Sequence, residues 1–339
     1  MEHCEIVGID LSKNVFHVCA ADERGRTKHE YKFNRKQLRQ FAATTPACLV
    51  AMEACGSAYH WARVFQRFGH RVRLISPQYV KPFVRTNKND CNDASAIVVA
   101  ATQAHMPAVP CKSIEQQDVQ MLHRIRSRRI AERTALINQI RGLLLEYGIS
   151  IRGGPGAVRA ALPDILEDAE NELSVLGRGA FAELLEELRA IDELIRAVDR
   201  HIRVLFRDNE ACQRLAAIDG VGVLTATALV AAVGDGREFE NGRHLAAWLG
   251  LVPRQHSTGG RPRLFGISRR GDTYLRMLFI HGARSALRVA DRRTDRRMRW
   301  ACSVKARRGA NVAAVALANK TARIAWAMLR HNEEFKRLH

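Results

Sequence analysis

The stretch Ile6-Val7-Gly8-Ile9-Asp10 constrains this chain more than any other. Three β-branched apolar residues in so short a run favour a buried strand, and the run stops on a carboxylate. A charge at the end of a buried strand is costly unless a cation shares the site. Two readings follow: a turn aspartate that caps the next segment, or a metal-binding aspartate on the first strand of a nuclease-type sheet. The pattern returns at 48–52, an apolar run that ends in Glu53. Between the two, 15–20 and 29–33 read as strands that form an antiparallel meander with the first. A helix is expected over 35–44, another over 56–68 and a strand over 72–75. Strands, helix, strand, helix, strand predicts an α/β sheet over about 1–110, and sites in such sheets gather at strand carboxyl ends.

A third acidic feature follows. Asp90 and Asp93 precede an apolar, helix-like stretch, 94–103. Three residues apart, they share a face, at a helix end that favours negative charge. Simple N-capping by one of them explains the pair equally well. Asp10, Glu53, Asp90 and Asp93 together can hold one or two hard cations, Mg²⁺ or Mn²⁺, through oxygen ligands. Paired cations of this kind activate water and stabilise a leaving oxygen in phosphodiester cleavage.

The charge balance points the same way. Lys and Arg number 54 against 35 Asp and Glu, a formal net charge of +19, and nucleic acid is the default partner for such an excess. No stretch approaches the ~20 apolar residues of a membrane-spanning helix, and Glu2, Glu5 and Asp10 interrupt any signal-peptide core. The eight cysteines include no C-x-x-C pair, which argues against a zinc site and for reduced thiols in the cytoplasm.

The middle section, about 111–210, reads as an architectural arm. A long helix is expected over 114–146, with Leu136, Ile140 and Leu143 at helical spacing. Its first half bears Arg124, Arg126, Arg128, Arg129 and Arg133, either a solvated face or a phosphate-facing one. After the glycine-rich break 152–156, Phe181, Leu184, Leu188, Ile191, Ile195, Val198, Ile202 and Leu205 make a sustained a/d seam. That is a coiled-coil signal. Its partner is either the first helix or another subunit.

The last section is about 211–339. The stretch 215–226, with Gly220-Val221-Gly222 at its centre, resembles a helix-hairpin-helix, whose amides can approach a phosphate; a tight helix turn without a ligand has the same glycines. Residues 254–261 read as a polar loop with paired glycines. Ser257 within it is a turn former or a serine exposed beside a bound phosphate, where Arg254 and Arg261 could stabilise developing charge. Arg269 and Arg270 precede a helix over 273–287. Arg292, Arg293, Arg296, Arg297, Arg299, Lys305, Arg307 and Arg308 form the densest basic run, read as phosphate contacts. A core-packing helix over 310–329 ends the chain.

Taken together, G-I-D-L-S-K around Asp10, M-E-A-C-G around Glu53, K-N-D-C-N-D-A around Asp90 and Asp93, I-D-G-V-G-V-L-T-A, and G-L-V-P-R-Q-H-S-T-G-G through G-I-S-R-R-G-D-T-Y-L-R resemble the DEDD transposases of bacterial insertion sequences. That family includes bridge-RNA-guided recombinases and Piv-type DNA invertases, and the resemblance covers nearly the whole chain. It implies a RuvC-like ribonuclease H fold, a coiled-coil insertion and a mainly α C-terminal transposase domain with a nucleophilic serine. The family's four acids match Asp10, Glu53, Asp90 and Asp93. Its serine falls at Ser257, with Thr258 the alternative if the register shifts. Arg269 departs from the lysine that relatives often have there; the charge is kept and the geometry changes.

The implied activity is excision and insertion of a mobile element. It further implies composite sites built from two subunits of a homo-oligomer, dimer or tetramer, and a noncoding guide RNA that pairs with donor and target DNA. Three rivals stand beside it. One is a Holliday-junction nuclease that uses the four acids alone. Another is a sugar-kinase or actin-like fold, which needs an Asp-x-Gly-Thr phosphate loop that the chain lacks. The last is an inactive nucleic-acid-binding relative.

Overall fold

The computed structural model describes residues 5–84, 90–258, 261–293 and 295–337, and the side chains of Asp90, Cys91 and Pro155 lie outside that description. The chain forms two compact units, Met1–Ser113 and Ile114–His339.

In the first unit the elements run β1 (Ile6–Asp10), β2 (Val15–Ala21), β3 (Thr27–Asn34), α1 (Arg35–Thr44), β4 (Leu49–Glu53), α2 (Ala58–Arg67), β5 (Arg71–Ile75), α3 (Pro77–Val80), α4 (Asp90–Thr102) and β6 (Ala108–Val109). They make one mixed sheet in the order β3-β2-β1-β4-β5-β6. β1, β2 and β3 are the antiparallel meander, while β1 pairs parallel with β4, and β4 with β5. The central position of β1 explains its run of apolar residues, because both of its faces are covered. Val7 and Ile9 pack with Leu38 and Phe41 of α1 and Trp61 and Phe65 of α2. Ile6 packs on the other face with Ile97 and Val98 of α4. α1 begins where expected because Asn34 and Gln37 form a reciprocal capping box. α4 differs from expectation: it starts at Asp90 rather than at residue 94. Both aspartates therefore belong to its first turn.

In the second unit the elements are α5 (Ile114–Leu145), α6 (Pro155–Glu167), α7 (Val175–Arg207), α8 (Glu210–Leu215), α9 (Val223–Val233), α10 (Gly242–Trp248), β7 (Pro253–Thr258), β8 (Arg261–Ile267), α11 (Thr273–Arg288), α12 (Arg296–Arg308) and α13 (Ala310–His331). α5 and α7 pack along each other within the same chain. Arg126 pairs with Asp199 at 2.6 Å and Arg133 with Asp192 at 3.2 Å, and such pairing requires an antiparallel hairpin. The apolar seam of α7 is Phe181, Leu185, Leu188, Ile191 and Ile195, closed against Leu136, Ile137, Ile140 and Leu144 of α5. Three expected positions differ: Leu185 rather than the half-buried Leu184 fills the seam, and Leu205 and, on α5, Leu143 are exposed.

The arginines of α5 divide: Arg124 and Arg128 are exposed, as a solvated face requires, and others turn inward. Arg126 and Arg133 bridge to α7, and Arg128 and Arg129 share Glu132 one turn on. Only Arg126 and Arg133 hold the hairpin. The remaining helices enclose a second core around Leu229, Leu245, Phe279 and Leu317. Among the described residues no helix is long and apolar enough to cross a membrane.

His123 joins α5 to α9 and α11. The Thr227 hydroxyl donates to the Val223 carbonyl at 2.7 Å, so it accepts from His123 Nε2–H at 3.0 Å. Nδ1 is then the acceptor for the Tyr274 hydroxyl at 2.9 Å. This buried imidazole is neutral. Burial, with Arg126 adding to it, pushes its pKa down to about 4. An unfolded histidine ionises near pH 6.5. As pH falls through that value the unfolded chain takes up a proton that the folded chain refuses, so stability declines until about pH 4 and then levels. At about 1.4 kcal/mol per unit the whole window is worth roughly 3 kcal/mol. We expect the melting temperature to fall more steeply between pH 7 and 4.5 in the native chain than in His123→Leu. Identical slopes would mean that His123 does not resist protonation.

Candidate active site

The first candidate site lies at the carboxyl ends of β1 and β4. Ile9 stands opposite Met52 in the parallel register, so Asp10 and Glu53 take matching positions at the ends of neighbouring strands. Alternation along each strand puts both on the face that Ile6 and Ala51 bury under α4. Both are half-buried. Their closeness registers on Cys55: burial raises its thiol pKa, and Glu53 and then Asp10 raise it further. Two carboxylates thus act on one sulfur.

α4 brings the third acid. A Cβ on Gly8 would lie 2.5 Å from the Ala94 carbonyl oxygen and 2.6 Å from Val98 Cγ2. Only the absence of a side chain lets the helix sit there. At its other end, Thr102 Cγ2 would be 3.0 Å from a Cβ on Gly25, in the turn after β2, beside the start of β1. α4 therefore runs back along β1 from its carboxyl end, and Asp93, half-buried and next to Ala94, begins at the Asp10 end. The Asp90 side chain lies outside the described residues, as do Lys88 and Asn89. Among the described residues no group of three or more His, Cys, Asp or Glu side chains is close enough to hold a metal ion. The oxygen donors of Asp10 and Glu53 nonetheless suit Mg²⁺, which is held by one or two carboxylates and keeps several waters.

The second candidate site corrects an expectation. Residues 254–258 and 261 are strand rather than loop: β7 and β8 form an exposed antiparallel ribbon, with Ser257 opposite Pro262 and His256 opposite Arg263. Gly259 and Gly260 lie outside the described residues. Side chains alternate along a strand, so Ser257 shares a face with Gln255, whose Nε2 donates to Ser257 Oγ at 2.7 Å. Thr258, Arg254 and His256 project from the opposite face. There the His256 ring stands edge-on to Phe265, 5.6 Å between centroids, and Arg263 lies over Phe265 at 5.3 Å. Neighbours in sequence, Ser257 and Thr258 thus serve opposite sides, and His256 faces away from Ser257.

The ribbon is pinned at its base. Buried Arg276 of α11 donates to the Leu249 and Arg270 carbonyls at 3.0 and 2.9 Å and to Thr273 Oγ1 at 3.0 Å. Gly250 and Gly271 permit the approach: a Cβ on Gly271 would be 1.8 Å from the Trp248 carbonyl oxygen. Arg269 takes a left-handed backbone, φ +56°, a conformation that costs a side-chain-bearing residue about 1 kcal/mol. Gln255, Arg263 and Arg276 do not figure in the reading of the sequence. The exposed ribbon offers no apolar periodicity that could have marked the first two, and nothing local marks Arg276 as buried.

The basic run divides. Arg292, Arg296, Arg299, Lys305, Arg307 and Arg308 are exposed. Arg297 is not: it is buried, donates to Thr321 Oγ1 at 3.0 Å and to the Asp219 carbonyl at 3.1 Å, and stacks on Phe335. Asp219 also pairs with Arg293 and Arg337. Arg297 is therefore a packing residue rather than a phosphate contact. Trp300 is covered by Lys320 at 4.5 Å.

Gly8→Ala should destabilise the first unit by roughly 1–3 kcal/mol through overpacking and displace Asp93 from the strand end; thermal unfolding and a nuclease assay check both. Arg297→Ala should cost about 3 kcal/mol of stability, because it strips a buried charge pair. Arg299→Ala should leave the melting temperature unchanged.

A family model for DEDD transposases of the IS110 type matches residues 7–149, and the model described as "Transposase IS116/IS110/IS902 family" matches 212–299. A Pseudomonas aeruginosa protein described as "Probable family 20 transposase" is 49% identical over 324 residues, 95% of this chain and 96% of its own length. The "Transposase for insertion sequence element IS1111A" of Coxiella burnetii is 45% identical, covering 99% of this chain and 92% of its own. The "Transposase for insertion sequence element IS1328" of Yersinia enterocolitica is 39% identical across 99% and 100%.

Proposed function

The chain belongs to the IS116/IS110/IS902 family of transposases, enzymes that cleave and rejoin DNA, and from that premise we propose that it excises and inserts its own element by attack of Ser257 on DNA phosphates. Its DEDD domain implies the RuvC-like fold, to which the mixed sheet of the first unit corresponds. The reading keeps three regions, 1–110 with the acids, 111–210 as the arm and 211–339 with the serine. It also keeps a relationship to Piv-type invertases.

The observation that carries the proposal is Ser257 on an exposed, pinned ribbon with its Oγ held by an amide donor. Gln255 donates to Oγ and leaves the serine O–H free to be removed. Attack by Oγ forms the serine–phosphate ester as the sugar oxygen leaves, with net transfer of the serine proton to that oxygen. Attack by a second strand's hydroxyl reverses this, so the phosphodiester energy is conserved without ATP. A serine is a weak nucleophile at its ordinary pKa, and His256 faces the wrong side to act as its base. Asp10, Glu53, Asp90 and Asp93 would hold Mg²⁺ or Mn²⁺, which supplies charge stabilisation to a phosphate and to an attacking oxygen. Arg254, Arg261, Arg269, Arg270, Arg292, Arg293, Arg296, Arg299, Lys305, Arg307 and Arg308 would contact phosphates. A noncoding guide RNA and a dimer or tetramer complete the reading, supported by the resemblance and by the +19 charge.

A suicide DNA substrate tests the chemistry. We expect a denaturation-resistant protein–DNA adduct from the native chain, none from Ser257→Ala, and one still from Thr258→Ala. Asp10→Asn or EDTA should suppress the adduct while leaving DNA binding intact. An adduct that persists in Ser257→Ala and vanishes in Thr258→Ala moves the nucleophile by one residue. Strand cleavage with no adduct in any variant returns the protein to a junction nuclease that uses the acids alone.

A further inference from the structure

The two faces of the β7–β8 ribbon differ in kind. On the side of Ser257 stand Gln255, Pro262 and Leu264, none of them charged. On the other side His256 lies opposite Arg263 and Thr258 opposite Arg261. Phe265 joins that side through its contacts with His256 and Arg263. No Asp or Glu occurs between Glu240 and Asp272, so no acid of the ribbon itself neutralises the cationic face.

Phe265 is the member of this face that phosphate contact does not explain. It is 41% exposed, on a ribbon whose strand residues are all exposed except Ile267. The burial that ordinarily selects a large apolar side chain is missing there. What remains is the flat ring itself. The Arg263 guanidinium lies over it at 5.3 Å, and the His256 ring stands perpendicular to it at 5.6 Å between centroids. Such cross-strand contacts stiffen a ribbon, but a purely aliphatic pair would do that as well. An aromatic ring set among cations is a stacking platform: every base has a π-face to lay on it, and the cations beside it hold the adjoining backbone. A base-paired duplex keeps those π-faces stacked inside and shows only its edges, so the platform suits an unpaired base.

We propose that the cationic face of the ribbon seats an unpaired nucleobase: the base stacks on Phe265, His256 meets its edge, and Arg261 and Arg263 take the neighbouring phosphates. The ligand class is single-stranded nucleic acid, whose sugar decides whether the base comes from DNA or from RNA. The proposal rests on nucleic acid as the substrate but not on Ser257 as the nucleophile, which leaves the ribbon from the opposite face.

The test uses the full chain and two short single strands, one DNA and one RNA, with 2-aminopurine placed at successive positions. The fluorescence of this base is quenched when it stacks on a ring. Quenching is expected with the native chain and with Phe265→Tyr, and should be lost in Phe265→Leu. Single-strand affinity should fall about tenfold in Phe265→Leu, while duplex affinity should hold. A stiffening role alone predicts a lower melting temperature for Phe265→Leu with no quenching to lose. Photocrosslinking of a strand bearing 5-iodouracil to the native chain reads the seat without any substitution, and the crosslinked peptide should contain Phe265 or His256. No quenching of either strand by the native chain, quenching that persists in Phe265→Leu, or a crosslink confined to other peptides overturns the proposal. Quenching of the DNA strand alone assigns the seat to DNA, and quenching of the RNA strand alone assigns it to RNA. The covalent-adduct assay separates the two readings: an adduct without quenching sinks the base seat alone, and quenching without any adduct sinks the serine chemistry alone.

Discussion

The contact between β1 and α4 is made at a place where no side chain fits. At Gly8 the helix lies so near the strand that its Ala94 carbonyl and Val98 side chain occupy the volume a methyl group would need. This close approach sets the height of α4 above the sheet. Through that height it decides where the first turn of α4 lies relative to the strand ends. Asp10 and Glu53 are positioned by sheet register, which is stiff. Asp93 is positioned by helix packing, which is adjustable, and Gly8 removes the adjustment. The second unit uses the same device at Gly282 against Gly220 and at Gly271 against Trp248.

Positive charge in this chain serves two purposes that composition cannot separate. Some arginines are structural. Arg126 and Arg133 clamp the α5–α7 hairpin, Arg276 holds the base of the ribbon, and Arg297 lies in the core beside Asp219. A guanidinium suits these places, because its planar fork of donors can satisfy several carbonyls at once. Others, notably Arg296, Arg299, Arg307 and Arg308 of α12, are exposed and remain available to a polyanion. The polyanion-facing charge is therefore less than the net +19 would imply if every cation reached solvent.

Much of the sheet and of the acid site is legible in the sequence. Strands that are buried on both faces show as unbroken apolar runs, and the residue that ends such a run marks the sheet's edge; Asp10 and Glu53 are found that way. The start of α4 is misjudged because Asp90 and Asp93 read as caps, although an aspartate is also comfortable inside a first turn. The β7–β8 ribbon is missed for a different reason. All of its strand residues but Ile267 are exposed, so it shows no apolar periodicity, and paired glycines with polar neighbours look like a loop. Arg297 is misread because a buried arginine within a basic run differs from its neighbours only in its tertiary partners. In the α7 seam, a four-residue step at Leu185 replaces the expected three-residue step at Leu184, within the tolerance of a helix whose turn is 3.6 residues.

The alternation of the ribbon has a consequence for how such proteins can diverge. Along β7 the side of a residue is a matter of odd or even distance from a base at Gln255, just past the register shift between Pro253 and Gln255. Deleting or inserting one residue between that base and Ser257 would turn the serine to the basic face and bring Thr258 or His256 to its place. A change of two would restore the original side and shift it along the strand by one repeat. Length variation in this segment is therefore quantised by parity: lineages can drift by even steps and keep the serine's side, while odd steps demand a compensating bulge in β8.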